Sequence, residues 1–503
     1  MSPAPLPEPS SRPAGARGAW TARRLQVLVL CAVILTYLPS LGGGWAYDDL
    51  TWATHPADLY AALHGAVGSP IWRPLGALPT ALIHSLWVDP LPHRVLSLIL
   101  HLVAVSAVGH IATAAGARPS LAWFAAALFG VHTGTSEPVA WISCHTELIP
   151  AVLTLTGWAA LTRGKEWTAG LLWGLAPFGK EAWILLPLSG ALWCLGTRRW
   201  SWRAVGTASL GAAVYLVLRQ SAQTSASLGS IDPDILGPLG YIALRGIGLL
   251  FVPASADVCP LYAPAPTAGA VVLVAGLVAL ACTRGRPWLA ALLVPLPILA
   301  PNALASARNG IGADRYYYLA IAGIAIAIAL AAESLRSARP NWTPPRLFQA
   351  AWLIPVALAP LTALRARDWG DNLALFSASL AIDPVNPFSS IGYAAALSSA
   401  DRCEEAIPHF RVGLKKDPQA LTGLQACLGR LGHLEAIVAL SAEVTTAQQV
   451  ANLARALLLL GRTSDARMIL DRATADFPDD HDLAALRDQA YAAAPQDPAA
   501  PER

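Results

Sequence analysis

Charge is scarce in this chain. Asp, Glu, Lys and Arg make up 13% of its 503 residues, against roughly 25% in a soluble domain, and just over half the residues are apolar. That excludes an ordinary soluble enzyme and predicts an all-α, polytopic membrane protein. At about 20 residues per span, the length admits roughly ten spans and one further domain. Cysteine is also sparse: Cys31, Cys144, Cys194, Cys259, Cys282, Cys403 and Cys427 form no CxxC and no metal spacing. No zinc or redox motif is implied, and most of the seven sit in apolar runs as small hydrophobes. Only Cys403 and Cys427 share the polar tail, where a disulfide needs an oxidising compartment and is the less favoured expectation. No glycine-rich phosphate loop follows a strand, and no DxD stands in a soluble domain. No nucleotide site is indicated, and no nucleic acid is expected as a partner.

What is present is a series of apolar runs divided by two kinds of connection. Residues 1–24 are rich in Pro, Ala and Ser and carry Arg12, Arg17, Arg23 and Arg24; they read as a disordered cytoplasmic segment. Leu25 to Leu38 reads as an uncleaved first span, because LPSLGGGWA is a poor cleavage site. Later connections are basic at Arg118, Arg163 with Lys165, Arg198 with Arg199 and Arg203, Arg284 with Arg286, and Arg336 with Arg339. The positive-inside rule puts these on the cytoplasmic side. The others carry acids and histidines: Asp48, Asp49, His55 and Asp58; His132, Glu137 and His145; Asp232 and Asp234; Asp257; and Asp314 with Arg315. They belong on the far side. The alternation requires residues 168–196 to form a hairpin of two short helices and 237–252 to lie along the far interface or dip in and out. It gives a transmembrane domain over 25–365, an extracytoplasmic domain over 366–494 and a disordered tail over 495–503.

That second domain repeats. Asp383-Pro384 recurs at Asp417-Pro418, 34 residues on, and LGR recurs at 428–430 and 460–462. Between them lie amphipathic stretches in which Ala394, Ala395 and Leu397 are answered by Ala406, Ile407 and Phe410. The period predicts a degenerate tetratricopeptide-like solenoid of about three repeats. Its plain alternative is a supporting helical cap.

The candidates for chemistry lie on the same predicted face. Asp48 and Asp49 are like charges close enough to raise the proton affinity of one carboxylate, which suits a general base, although a solvated acidic loop reads the same. Arg73, His84, His93 and Arg94 have the donors to hold a phosphate, or to anchor an interface. His132, Glu137, Ser143, His145 and Glu147 interrupt apolar sequence, where ionisable groups normally face a cavity or a partner. Lys180 in GKE needs an anionic partner, supplied by a lipid phosphate or by Glu181. Neighbours on a helix diverge, so Glu181 is expected to serve another segment. In DRYYYL, Arg315 is the functional candidate and the tyrosines read as an aromatic belt. No metal site is read from these spacings, because neither HxxxxE nor HTE puts two donors on one helical face.

In this order the pieces resemble a family. YDD at 47–49, WRPL at 72–75, PHRVLSLILH at 92–101, HTGTSEPVAWISCHTE at 132–147, KE at 180–181, DRYYYL at 314–319 and RDWGDNLALF at 367–376 are similar to the transmembrane-and-TPR (TMTC-type) protein O-mannosyltransferases. These belong to the class C (GT-C) integral-membrane glycosyltransferases. The resemblance spans roughly residues 25–480. The chain departs from the family's usual residues at Thr135, His145 and Asp314, where His, Arg and Glu are common. The resemblance implies a polyprenyl-phosphate-linked sugar as co-substrate, and a protein or peptide hydroxyl as acceptor at the repeat surface. Transfer would take place at the extracytoplasmic face with inversion. Asp48 or Asp49 would be the base, Arg73, Lys180 and Arg315 the phosphate ligands, and His132, Glu137, His145 and Glu181 the positioning residues; the need for a divalent metal stays open. The main rival is a non-catalytic membrane scaffold whose repeats dock a partner. A lipid or polysaccharide transporter is the other.

Overall fold

The computed structural model describes residues 16–49, 59–64, 72–221, 235–252, 257–339 and 345–492. Arg12, His55, Asp58, Asp232, Asp234, the first 15 residues and the expected 495–503 tail lie outside them. Among the described residues the chain is all-helical, with one isolated antiparallel bridge between Leu261 and Ile311. Two compact units are distinguished, Met1–Asp371 and Asn372–Arg503.

The first unit contains α1 (Ala16–Tyr37), α2 (Leu59–His64), α3 (Pro74–Leu86), α4 (Pro90–Ala114), α5 (Pro119–Gly130) and α6 (Ser136–Ala140). It continues with α7 (His145–Thr162), α8 (Glu166–Leu175), α9 (Leu186–Thr197), α10 (Trp202–Ser221), α11 (Leu236–Phe251) and α12 (Pro266–Cys282). It closes with α13 (Pro287–Leu293), α14 (Leu296–Asn309), α15 (Tyr318–Ala338), α16 (Pro345–Ala351) and α17 (Leu353–Asp368). Helix α1 begins at Ala16, inside the segment expected to be disordered, because ARGAWTARR is built largely of good helix formers.

Among the described residues five segments are long and apolar enough to cross a membrane: Ala22–Gly42, Pro90–Ala114, Pro287–Asn309, Asp314–Ala338 and Phe348–Asp368. A sixth, Thr133–Ala140 with Ile142–Thr162, qualifies only as a pair bent by 98°. This makes the chain a multi-pass membrane protein with fewer full-length spans than the roughly ten that its length admits. The reason is helix length. Pro119–Gly130, Glu181–Thr197, Leu236–Phe251 and Pro266–Cys282 are apolar but short. At 1.5 Å per residue even the longest falls below the ~30 Å hydrocarbon core. Helices α11 and α12 lie in close contact: a Cβ on Gly240 would lie 1.8 Å from the Ala265 carbonyl oxygen, and one on Gly269 1.9 Å from that of Leu236. The break expected in 168–196 is present. Helix α8 ends in a 3-10 turn at Ala176–Phe178, Gly179 and Lys180 are non-helical, and a second 3-10 turn at Glu181–Leu185 leads into α9.

Charges within each class of connection meet one another. Arg118 and Arg336 share Glu333 at 3.1 and 2.5 Å, and Arg203 stands 3.9 Å from Glu166. In the other class, Asp49 holds Ser143, Glu137 holds Arg315, and Asp314 accepts from the Asp257 amide.

The second unit contains α18 (Asn372–Ile382), α19 (Pro387–Ser399), α20 (Cys403–Leu414), α21 (Ala420–Arg430), α22 (Leu434–Ala439), α23 (Ala447–Leu459), α24 (Thr463–Asp476) and α25 (His481–Ala492). Local sequence sets the breaks. Asn386 caps α19 ahead of Pro387, and Thr446 with Gln449 forms a reciprocal capping box on α23. Ala394, Leu397, Ala406 and Phe410 meet in one buried cluster with Leu421, Leu424 and Leu428. Cys403 and Cys427 form a disulfide, Cα–Cα 5.1 Å, tying the start of α20 to α21. This overturns the favoured expectation of two free thiols, because packing α20 on α21 brings the two buried sulfurs together where sequence spacing gave no hint. Opening the bridge with Cys427→Ser should destabilise the unit by about 3 kcal/mol, from the loop entropy of a 24-residue separation. Maleimide labelling of denatured protein should find these two thiols blocked until a reductant is added.

Candidate functional site

The site grows from the bend between α6 and α7. Trp141 is extended (φ −91°, ψ 120°), so the helical ladder is interrupted there. Buried Arg94 donates to the Ala140 carbonyl at 2.7 Å, and also to Gly44 at 2.5 Å and Trp369 at 2.8 Å. Interrupted backbone at membrane depth is tolerated when protein groups satisfy it in this way. Arg94 is thus spent on carbonyls rather than on a phosphate.

Asp49 secures the other side of the bend. Its Oδ1 accepts from the Ser143 amide at 2.8 Å and the Ser143 hydroxyl at 2.6 Å, while Oδ2 is buried with no hydrogen-bond partner. Burial pushes this carboxyl up to about 6; the Ser143 hydrogen bonds and the Arg94 charge pull the other way. The expected cause was repulsion from Asp48, and that is corrected: the 3-10 turn at Tyr47–Asp49 turns Asp49 inward and leaves Asp48 exposed. Asp48 is still crowded enough by protein for desolvation to raise its carboxyl above the ordinary value, with Arg315 pulling it down.

A folded-state pKa near 6 against an ordinary 3.8 means that the folded state binds this proton more tightly than the unfolded state. The stability it contributes is present below pH about 4 and lost as pH rises through about 6. Asp49→Asn has no such proton to lose. The wild type should therefore lose on the order of 1–3 kcal/mol relative to Asp49→Asn across that window, read as diverging melting temperatures. Parallel curves would refute the assignment.

The three expected cations each meet a carboxylate. Arg73, just before α3, holds Glu181 in a two-pronged pair at 2.6 and 2.8 Å, so Glu181 serves another segment, as expected. Lys180 pairs with Glu147 of α7, not with Glu181, and Asn302 accepts from it at 3.4 Å. Arg315 donates from Nη1 and its amide to Glu137 at 2.6 and 2.9 Å. Lys180 and Arg315 stand over the same ring, 4.7 and 5.1 Å from the centroid of Tyr316. Glu147, Asn302, Arg315 and Tyr316 line one small cleft of about 10 Å³, room for roughly one water. Two glycines beside these pairs leave no room for a side chain. A Cβ on Gly76 would lie 2.8 Å from the Gly179 carbonyl oxygen, and one on Gly179 would meet Pro150 at 2.7 Å.

His132 and His145 are buried and engaged elsewhere. The His132 Nδ1 accepts from the Gly134 amide at 3.1 Å. His145 is bonded to Thr80 at 2.7 Å and Ser97 at 2.9 Å, and its ring stacks on His93 at 6.4 Å. Asp314 was grouped with Arg315, yet its partner is Arg245 of α11, at 2.7 Å. The tyrosines are not a belt. Tyr317 donates to the Ile242 carbonyl at 2.9 Å and Tyr318 bonds His101 at 2.7 Å, because a 3-10 turn aims successive side chains inward along different directions. Arg245, Asn302 and Tyr316 were missed. A lone arginine inside the apolar run of α11 was the available signal for the first. Among the described residues no group of three or more His, Cys, Asp or Glu side chains is gathered for a metal ion.

No family model, curated protein or solved structure matches this chain.

Proposed function

We propose that the chain is a GT-C-type glycosyltransferase carrying a TPR-like repeat unit. In this reading it transfers a sugar from a polyprenyl-phosphate donor to a protein Ser or Thr hydroxyl at the extracytoplasmic face. The observation that carries this is the pairing of Asp48, exposed and within the field of Arg315, with the ion pairs Arg315–Glu137 and Lys180–Glu147, whose cations stand over Tyr316, and with Arg73–Glu181, where Glu181 is next to Lys180 in the chain. The acceptor oxygen attacks the anomeric carbon, the bond from that carbon to the phosphate oxygen breaks, and Asp48 takes the hydroxyl proton. The phosphate leaves against Arg315 and Lys180, with Arg73 behind them. Asp49 is a positioning residue that holds the Ser143 turn. His132 and His145 shape the wall behind the network rather than contact the sugar. Direct displacement inverts the anomeric centre. A Cys403–Cys427 disulfide supports an oxidising, extracytoplasmic location for the repeat unit.

A specific observation also favours the scaffold reading: each of the three cations already has a carboxylate partner, which a purely structural network would need. Purified chain incubated with radiolabelled polyprenyl-phosphate sugar and hydroxyl-bearing peptides decides between them. Label in the peptide, lost in Asp48→Asn, supports transfer. Absence of label, with a peptide still bound by the repeat unit, supports the scaffold.

A further inference from the structure

Independently of the transfer reading, we infer that the first and last membrane helices hold an anionic lipid. A groove of about 610 Å³ runs between α1 and α17 over a floor from α5. Along α1 it is lined from Leu25 to Thr36, and along α17 from Trp352 to Ala363, with Ala127 and Val131 beneath. Its polar groups are the Thr36 hydroxyl, already spent on the Ala32 carbonyl at 2.8 Å, and the Trp352 indole at the Leu25 end. Between those ends the lining is hydrocarbon, so the occupant is an aliphatic chain.

Length and charge narrow the choice. The two helices run the same way, since the segments that follow them meet where the Gly44 amide donates to the Gly370 carbonyl at 2.7 Å. The eleven-residue rise from Leu25 to Thr36 is about 16 Å. That is roughly half of the ~30 Å hydrocarbon core and so the depth of one leaflet. The end of the groove at Leu25 lies directly after Arg23 and Arg24, both exposed. At the same end Trp352 packs edge-on against Phe124 at 5.6 Å, and tryptophan is a residue type that favours the membrane interface. An acyl chain laid in the groove brings its phosphate to the two arginines. These two spans are also the least buried of the five, so the groove opens to the bilayer. Its charged end lies at the opposite end of α1 from Asp48, which separates it from the transfer site.

Native mass spectrometry of the detergent-purified full chain tests this after delipidation and addition of phosphatidylglycerol or phosphatidylcholine with identical chains. One phosphatidylglycerol should be retained in preference to phosphatidylcholine. Arg23→Gln with Arg24→Gln should weaken that retention on the order of tenfold or more, for two basic residues at a headgroup. Ala359→Trp, which fills the groove, should abolish it while the arginines remain. Equal retention of the two lipids, or unchanged retention in either variant, overturns the proposal. Should Ala359→Trp fail to fold, the arginine pair, which lies outside the groove, still decides.

Discussion

Asp48→Asn is expected to lower sugar transfer by about 100- to 10,000-fold, the usual contribution of a positioned general base. The melting temperature should stay close to that of the wild type. The chemistry fails because an amide cannot accept the hydroxyl proton. The fold survives because Asp48 is exposed and a surface substitution of this kind costs little. Asp49→Asn should behave differently. An amide oxygen in place of Oδ1 still accepts from Ser143, so transfer is reduced less than in Asp48→Asn. Asp49→Ala removes the anchor of the Ser143 turn and should lower both transfer and stability. Full activity in Asp48→Asn would take the base out of the mechanism, and an equal loss in Asp49→Asn would move the role one residue along.

Lys180→Met should cost about 3–5 kcal/mol of stability, the usual result of stripping one partner from a buried ion pair. The two side chains are 10% and 6% exposed, so Glu147 would be left charged and nearly out of water. The loss comes chiefly from that stranded charge rather than from the attraction itself. Replacing both partners, Lys180→Met with Glu147→Leu, should therefore recover most of the melting temperature. Transfer should not return with it, because the leaving phosphate still lacks its cation. A double variant that regains activity along with stability would show the pair to be a strut alone. The exposed pairs of the second unit, such as Arg402 with Glu405, should give no comparable effect, since solvent screens them.

Much of this was legible in the sequence, and particular residues mark where legibility ended. The apolar runs, the break at Gly179–Lys180 and the two classes of connection follow from composition and charge, which act locally and leave a one-dimensional trace. Partner choice does not. Lys180 was given Glu181 or a lipid phosphate and found Glu147; Asp314 was grouped with Arg315 and found Arg245; the thiols of Cys403 and Cys427 met only because α20 lies on α21. Each of these pairings joins residues 24 to 69 positions apart, over which spacing carries no directional information.

By itself, then, the sequence determined that the chain is helical, that it enters a membrane several times and where its ionisable groups stand along it. Hydrophobic periodicity and burial cost are properties of residues and their near neighbours. Only the tertiary structure decided that Asp49 faces inward and Asp48 outward, and which carboxylate each of the three cations meets. Those outcomes depend on which helix faces which, and packing settles that after local structure has formed.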